Sequence, residues 1–581
     1  MRFLHIVMRK LICVFLLIPL ASLCQMTPFE NSGGKKSATY FECIEFYRKL
    51  DKASAKVSIR TMGMSDAGYP YQLVLFSNDG QFDPQGWHRH GKIVMLIING
   101  IHPGEPDGID ATMMLLRDLK DGKPKMPDNV VLAIIPIYNI GGALNRNKYS
   151  RVNQDGPESF GFRGNSQNLD LNRDFTKCDS RDARSFSTIF HWLNPDIQLD
   201  NHVSDGADYQ HTMTLISTQW NKLGGRTGKF LHDKFDPELY NKMERAGWPM
   251  CPYVNFDEGN PANGWEAFMD YPRYSSGYAA LFHTISYISE THMLKPFPDR
   301  VKSTYALINA MIQSAAEFSS QIRQSRKLDA EEELTTNELA LKWICDSSKT
   351  DAISFRGYTA GYKTSNITGK PRLFYDHTRP FEKKIPYYDY FKPDKIIGVP
   401  DYYIIPQGWH DVIDLLRLND VETKRLSRDT LINVMAYQIV DYKSFPKAYE
   451  KHHKNYDVRV SSSEEEIQFR EGDVLISTKQ AKKRFLVEML EPTGDDSYFA
   501  WNFFDAILQQ KEGYSDYRWE DVAESWLQKN PSVRMELEEK KRADSAFSNN
   551  AAAQLNFIYK RSPYYEPAHM RYPVYRLPAE H

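Results

Sequence analysis

The sequence predicts an α/β domain built on a largely parallel sheet, followed by a β-rich C-terminal domain. Three observations carry that prediction. Four apolar runs, "KIVMLIING", "NVVLAIIPIYN", "PDIQLDNH" and "HTISYISETH", each read as a buried strand that ends in polar residues. Helix-like stretches such as "DATMMLLRDLK" and "SRDARSFSTIFHWL" lie between them, and strand–helix alternation of this kind argues a sheet with helices on both faces. Beyond about residue 335 the pattern changes to short apolar runs separated by Pro, Gly and Tyr.

The elements follow in order. A closing helix is expected over "RVKSTYALINAMIQSAAEFSSQIRQSRK", and the charged "LDAEEELTTNE" reads as a junction. The expected division is residues 1–24 as an export signal, 25–325 as the α/β domain and 326–581 as the β-rich domain. Within the last, "DVIDLLRLND" and "WEDVAESWLQKN" read as helices, and "YYDYF" and "PDYYIIP" as packing aromatics. A chain of 581 residues exceeds one ordinary core, which agrees with more than one domain.

The N-terminus supplies Arg2, Arg9 and Lys10, then the apolar "LICVFLLIPL" and the small-residue ending "ASLCQ". That is the pattern of a signal peptide cleaved before Gln25, and it implies export to the periplasm or the exterior. Leu23 makes Cys24 a poor lipid-attachment site, and no later segment has the length of a transmembrane span. A formal net charge of −2 gives no argument for a nucleic-acid partner. The four cysteines of the mature chain are too few for a disulfide scaffold and lack zinc-ligand spacing.

The chemistry begins at "IINGIHPGEPDG", residues 97–108. A buried strand has no use for an ending of His, Pro, Gly and two acids, but a metal site does. His102 and Glu105 stand three residues apart in a turn that Gly100 and Gly104 permit. A third ligand is offered by His202 at the end of "DIQLDNH", with Asp200 two residues before it on the same strand face as a supporting carboxylate. Asn172 and Arg173 form an amide–guanidinium pair in "DLNRDF", and Glu290 ends another apolar strand in "SYISETH". In open α/β sheets such residues gather at the carboxyl ends of the strands. Residues alone thus reach a zinc hydrolase, with zinc acidifying water and a carboxylate shuttling the proton.

This ordered set, HxxE, a loop arginine, Asn-Arg, a lone His and a late-strand Glu over residues 102–290, resembles the zinc carboxypeptidases typified by pancreatic carboxypeptidase A. The resemblance implies an α/β/α sandwich with a mixed, mostly parallel sheet, one Zn2+ per catalytic domain, and hydrolysis of C-terminal residues from peptides. It implies His102, Glu105 and His202 as the metal ligands and Glu290 as the general base. Arg151 is the expected oxyanion donor, with Arg146 as runner-up because the insertion "GPESFGFRGNS" blurs the loop. Asn172 and Arg173 are expected to hold the terminal carboxylate of a peptide.

On the substrate side Tyr274 is placed ahead of Tyr271 and Tyr278. Arg273 occupies the region of the specificity pocket and suggests acidic terminal residues, while a salt bridge with Asp270 is the structural alternative. His292 and Lys295 either extend that pocket or finish the strand; His191 and His283 read as packed, and His452 and His453 as surface residues. Rival functions are an amidase acting on muropeptides or acylated amino acids on the same fold, and a catalytically silent peptide- or glycan-binding protein. The presence of Glu290 favours an enzyme, because a binding protein needs no general base.

Overall fold

The computed structural model describes residues 25–256 and 260–577; the segment read as a signal peptide, residues 1–24, lies outside the described residues. The strands of the first part are β1 (Val57–Met64), β2 (Pro70–Phe76), β3 (Ile93–Asn99), β4 (Val130–Ile135), β5 (Ile197–Ser204), β6 (Met213–Ser217), β7 (Cys251–Pro252), β8 (Trp265–Glu266) and β9 (Ile285–His292). Eight of them form one sheet in the order β1-β2-β4-β3-β5-β9-β6-β7. The central neighbours β4-β3-β5-β9 are parallel, whereas β1-β2, β2-β4 and β9-β6 are antiparallel. The sheet is therefore mixed, and the four apolar runs of the sequence are its parallel centre. Burial on both sides explains why β3 and β4 are continuously apolar instead of alternating.

Both faces carry helices, and the side chains of β5 show which. Asn201 points to the face of the helix Asp107–Lys120, where it donates to Asn99. Gln198 and Asp200 point the other way, to Ser275 at the start of the helix Ser275–Ala280. Tyr278 of that helix packs against Phe190 of the helix Arg181–Leu193. The long helix Phe297–Glu317 covers the first face, packed on Asp107–Lys120.

Gly108 lets that first helix press on the sheet. A Cβ there would lie 2.4 Å from Asn99 Oδ1 and 2.5 Å from Asn201 Cβ. Gly108→Ala is therefore expected to cost about 1–3 kcal/mol, the usual range for overpacking. Chemical denaturation reads this, and a change within error would contradict the close approach.

The remaining strands are β10 (Glu338–Cys345), β11 (Asp351–Thr364), β12 (Pro371–Tyr388), β13 (Phe391–Gly398), β14 (Tyr402–Ile405), β15 (Lys424–Arg425), β16 (Thr430–Ser444), β17 (Asn455–Phe469), β18 (Val474–Ser477) and β19 (Tyr575–Leu577). They form a β10-β13 pair, a β11-β12-β8 sheet and a six-stranded β15-β18-β14-β19-β16-β17 sheet. The region is β-rich as expected, with three differences. The expected closing helix is two helices, Phe297–Glu317 and Ser319–Glu333, so "LDAEEE" is helical and residues 325 and 326 fall inside a helix. β12 pairs with β8 of the first part through Tyr387 and Trp265. The segment Asp516–Tyr559 is helical, its apolar residues Trp519, Ala523, Leu527 and Leu555 forming a small core of their own. Apolar packing also crosses between the parts, with Phe282 stacked on Phe485 at 5.4 Å.

A charged cluster makes another such tie. His232 Nε2 lies 3.0 Å from Asp351 and 3.5 Å from Asp389, and Nδ1 lies 2.8 Å from Asp233. The hydrogen bond to Asp389 leads in raising the imidazole to about 9, against burial. Its folded value thus exceeds the unfolded one near 6.5. The linked stability is complete below about pH 6.5 and is lost as pH rises through about 9. His232→Ala is expected to remove that alkaline loss in thermal melts between pH 6 and 10; an unchanged pH profile would contradict the assignment.

No helix among the described residues is long and apolar enough to cross a membrane. Cys43, Cys178, Cys251 and Cys345 are all free thiols.

Candidate active site

The chain turns sharply after β3 because Gly100 adopts a φ of +65°, which side-chain-bearing residues rarely take. The next turn closes with the Glu105 N–H donating to the His102 carbonyl at 2.8 Å. Both side chains are thereby returned to the carboxyl end of the sheet. His202 reaches the same point from the end of β5, and Glu290 stands directly opposite it in the register of β5 and β9. All four line one cavity of about 420 Å³.

The two imidazoles present the same atom to Glu105. His102 Nδ1 is 3.3 Å from one carboxylate oxygen and His202 Nδ1 is 3.2 Å from the other. Their Nε2 atoms are engaged elsewhere, His102 with Asp170 at 2.9 Å and His202 with Asp200 at 2.8 Å. A carboxylate on the far nitrogen fixes the ring and its tautomer, as at metal-bound histidines. Ser275 donates to Asp200 at 2.7 Å and so holds that partner in turn. Two imidazole nitrogens and one carboxylate beside an open cavity are a donor set that fits zinc, with room for a fourth ligand.

Electrostatics agree with a cation site. Burial would raise the Glu105 carboxyl, but Arg151, His102 and His202 together hold it well below the usual carboxylate range. Burial would lower His202, yet Asp200 and Glu105 keep it well above the usual imidazole value. Burial pushes Glu290 up to about 8, with His202 opposing and Glu105 adding to the rise. A carboxyl near neutrality, partly open to the cavity, is suited to take up and release a proton.

The other expected residues divide. Asn172 and Arg173 line the cavity on a short turn that Asp170 caps by accepting from the Asn172 N–H. Tyr274 lines it too, with the Arg173 guanidinium 4.6 Å from its ring centroid. Tyr278 is instead buried, donating to Asn419, and Tyr271 lies at a separate hollow. Arg151 lines the cavity, but its guanidinium is engaged by Glu105 at 2.7 Å, Gln154 and the Val203 carbonyl. The runner-up Arg146 is turned away, donating to the backbone carbonyls of Ala38 and Ser159.

Arg273 must be corrected: it is not among the residues lining the cavity. Its Nε pairs with the buried Asp496 at 2.9 Å, and its guanidinium lies over Tyr271 and Trp501, so the partner is neither a substrate nor Asp270. His292 bonds the Ala207 carbonyl and Lys295 bonds Asp208 and the Tyr209 carbonyl, so both finish the strand. His452 is half-buried and pairs with Asp179 at 2.8 Å, so it is not the free surface residue expected.

Sequence reasoning missed two residues. Asp170, two before Asn172 in "DLNRDF", is the outer partner of His102. Arg163, seven before Asp170, donates to it through Nε at 2.9 Å and places Nη1 3.3 Å from His102 Nδ1. Its side chain is 44% exposed, against 15% for Arg151. The only signal in the sequence was the nearness of both to the Asn-Arg pair.

The zinc carboxypeptidase family model matches residues 44–217, a span that holds His102, Glu105, Asn172, Arg173 and His202. Carboxypeptidase 2 of Trichophyton rubrum is 20% identical over 489 residues, covering 80% of this chain and 84% of the relative. A probable carboxypeptidase 2 of Arthroderma benhamiae is 21% identical over 486 residues, covering 79% and 85%. Among solved structures, carboxypeptidase A of Helicoverpa armigera is 15% identical with a TM-score of 0.36, covering 49% of this chain and 74% of that one.

Proposed function

We propose that this chain is an exported zinc metallopeptidase of the carboxypeptidase type that removes single residues from peptide C-termini, a reading supported by the family model over residues 44–217 and by the carboxypeptidase 2 relatives. The observation that carries the reading is one cavity uniting the His102, Glu105 and His202 donor set with Glu290 on one side and Asn172 and Arg173 on another. A metal site alone does not make an exopeptidase; an arginine within the same cavity able to fork a carboxylate supports one.

His102 and His202, through Nδ1, and Glu105 would hold zinc. When bound there, zinc supplies Lewis acidity that polarises a scissile carbonyl and eases deprotonation of water. Glu290 takes the proton from the attacking water and returns it to the leaving amine. Arg163, with an exposed guanidinium edge beside His102, is the better donor to the developing oxyanion, while Arg151 holds Glu105 in place. Asn172 and Arg173 anchor the terminal carboxylate, and Tyr274 covers it. Ile216, Tyr253, Phe268, Ile288 and Met293 give the cavity an apolar part, which supports apolar terminal side chains, while Ser150, Asn153, Ser204 and Asp205 keep the remaining lining polar.

Export rests on the residues 1–24 pattern, and the division of the chain is proposed after the helix Ser319–Glu333, since residues 325 and 326 lie inside it. A mixed peptide library, incubated with the zinc-loaded mature chain and read by mass spectrometry, tests the reading. Loss of single apolar C-terminal residues, abolished by a chelator and restored by zinc, is expected. Trimming of muropeptides or acylated amino acids alone would replace it with the amidase reading, and full zinc occupancy without hydrolysis would replace it with a binding protein.

A further inference from the structure

The loop between β16 and β17, some 280 residues from the Asn-Arg pair in sequence, reaches the back of the candidate carboxylate site. Tyr449 on this loop accepts a hydrogen bond from Arg173 Nε at 3.0 Å through its hydroxyl. Glu450 accepts the backbone N–H of Asp170 at 2.8 Å, directly before the turn that carries Asn172 and Arg173. His452 pairs with Asp179, just beyond that turn. Three successive anchors thus fasten one loop along one short segment.

The loop is itself fixed. The Tyr449 ring stacks on the fully buried Trp501 with 16° between the planes. Glu450 and Lys451 both hold positive φ, +48° and +74°, a conformation that non-glycine residues keep only where the surroundings impose it. On the other side, Arg173 Nη1 donates to its neighbour's Asn172 carbonyl at 2.9 Å and the guanidinium lies on Tyr274. Nε and one Nη1 hydrogen are committed, so the guanidinium plane is set and three N–H groups are left to fork a carboxylate.

We propose that Tyr449 is a positioning residue for Arg173, so that the C-terminal part of the chain completes the site that recognises the substrate's terminal carboxylate. The inference rests on the reading of Arg173 as the carboxylate anchor. Because the hydroxyl acts only through the orientation of Arg173 and touches no substrate, a fraction of one hydrogen bond's worth is expected to reach binding, a change of about 3- to 10-fold.

The test is Tyr449→Phe in the full chain, which removes the hydroxyl and keeps the ring on Trp501. KM for a free-carboxylate peptide is expected to rise about 3- to 10-fold with kcat within about 2-fold. The inhibition constant of N-acetyl-phenylalanine should rise by the same factor, while that of acetohydroxamate, which carries no carboxylate, stays unchanged. A purely structural role would move both inhibitors, or kcat, and would overturn the proposal. Arg173→Gln measured beside it separates the two levels. If that variant raises KM and Tyr449→Phe does not, the positioning role is wrong; if neither does, Arg173 is not the anchor and both readings fall.

Discussion

Glu290→Gln is expected to bind zinc at the stoichiometry of the unaltered chain and to lose kcat by about 100- to 10,000-fold, the range of a positioned general base. The amide is the same size as the carboxylate, so β9 and its register with His202 should be undisturbed. None of the three ring or carboxylate donors of the candidate metal site is touched. What changes is the capacity to accept a proton at a position where burial otherwise holds the carboxyl near neutrality. Single-turnover hydrolysis with metal content measured on the same sample checks it. Unchanged turnover would remove Glu290 from the reaction; loss of zinc would make it a structural acid.

Arg163→Ala is expected to lower kcat by about 100- to 1,000-fold, the usual cost of removing one oxyanion donor, with little change in KM. Arg151→Ala should behave differently. Arg151 donates to Glu105 and helps hold that carboxylate ionised, so its removal should weaken zinc retention first. Zinc-saturated assays of both variants distinguish the roles. If Arg151→Ala loses kcat at full zinc occupancy while Arg163→Ala is silent, Arg151 is the oxyanion donor after all.

The difference between these two arginines shows what a sequence can carry. His102, Glu105, His202 and Glu290 stood out as candidates because each lies at or just past the end of an apolar run that dictates a buried strand, and the ordered resemblance supplied the roles proposed for them. Their convergence then follows from parallel neighbours in one sheet, since β3, β5 and β9 deliver their carboxyl ends to the same edge. Asn172, Arg173 and Tyr274 kept a local pattern and also arrived in the cavity. The loop of residues 145–170 has no such period. Whether Arg151, Arg146 or Arg163 faces the metal site depends on how the loop folds back, which only its hydrogen bonds to Asp170, Glu105 and Ser159 decide.

Arg273 failed for a related reason. Its partner Asp496 lies 223 residues away, and no local pattern announces a pairing at that distance. The same holds for Tyr449 and Arg173. The helices of Asp516–Tyr559 were only partly legible, because their apolar residues serve a small core of their own rather than a strong single stripe on the main body. The long hairpins β11-β12 and β16-β17 were read as β-rich, but their polar, exposed outer halves left strand length unreadable.

The most direct measurement uses one peptide sequence ending in an apolar residue, prepared as the free acid and as the C-terminal amide, incubated with the zinc-loaded chain and followed by mass spectrometry. The account predicts that the free acid loses its last residue and that the amide is spared by about 100-fold or more, because Arg173 and Asn172 have no carboxylate to hold. Equal cleavage of the two, or cuts inside the peptide, would contradict it.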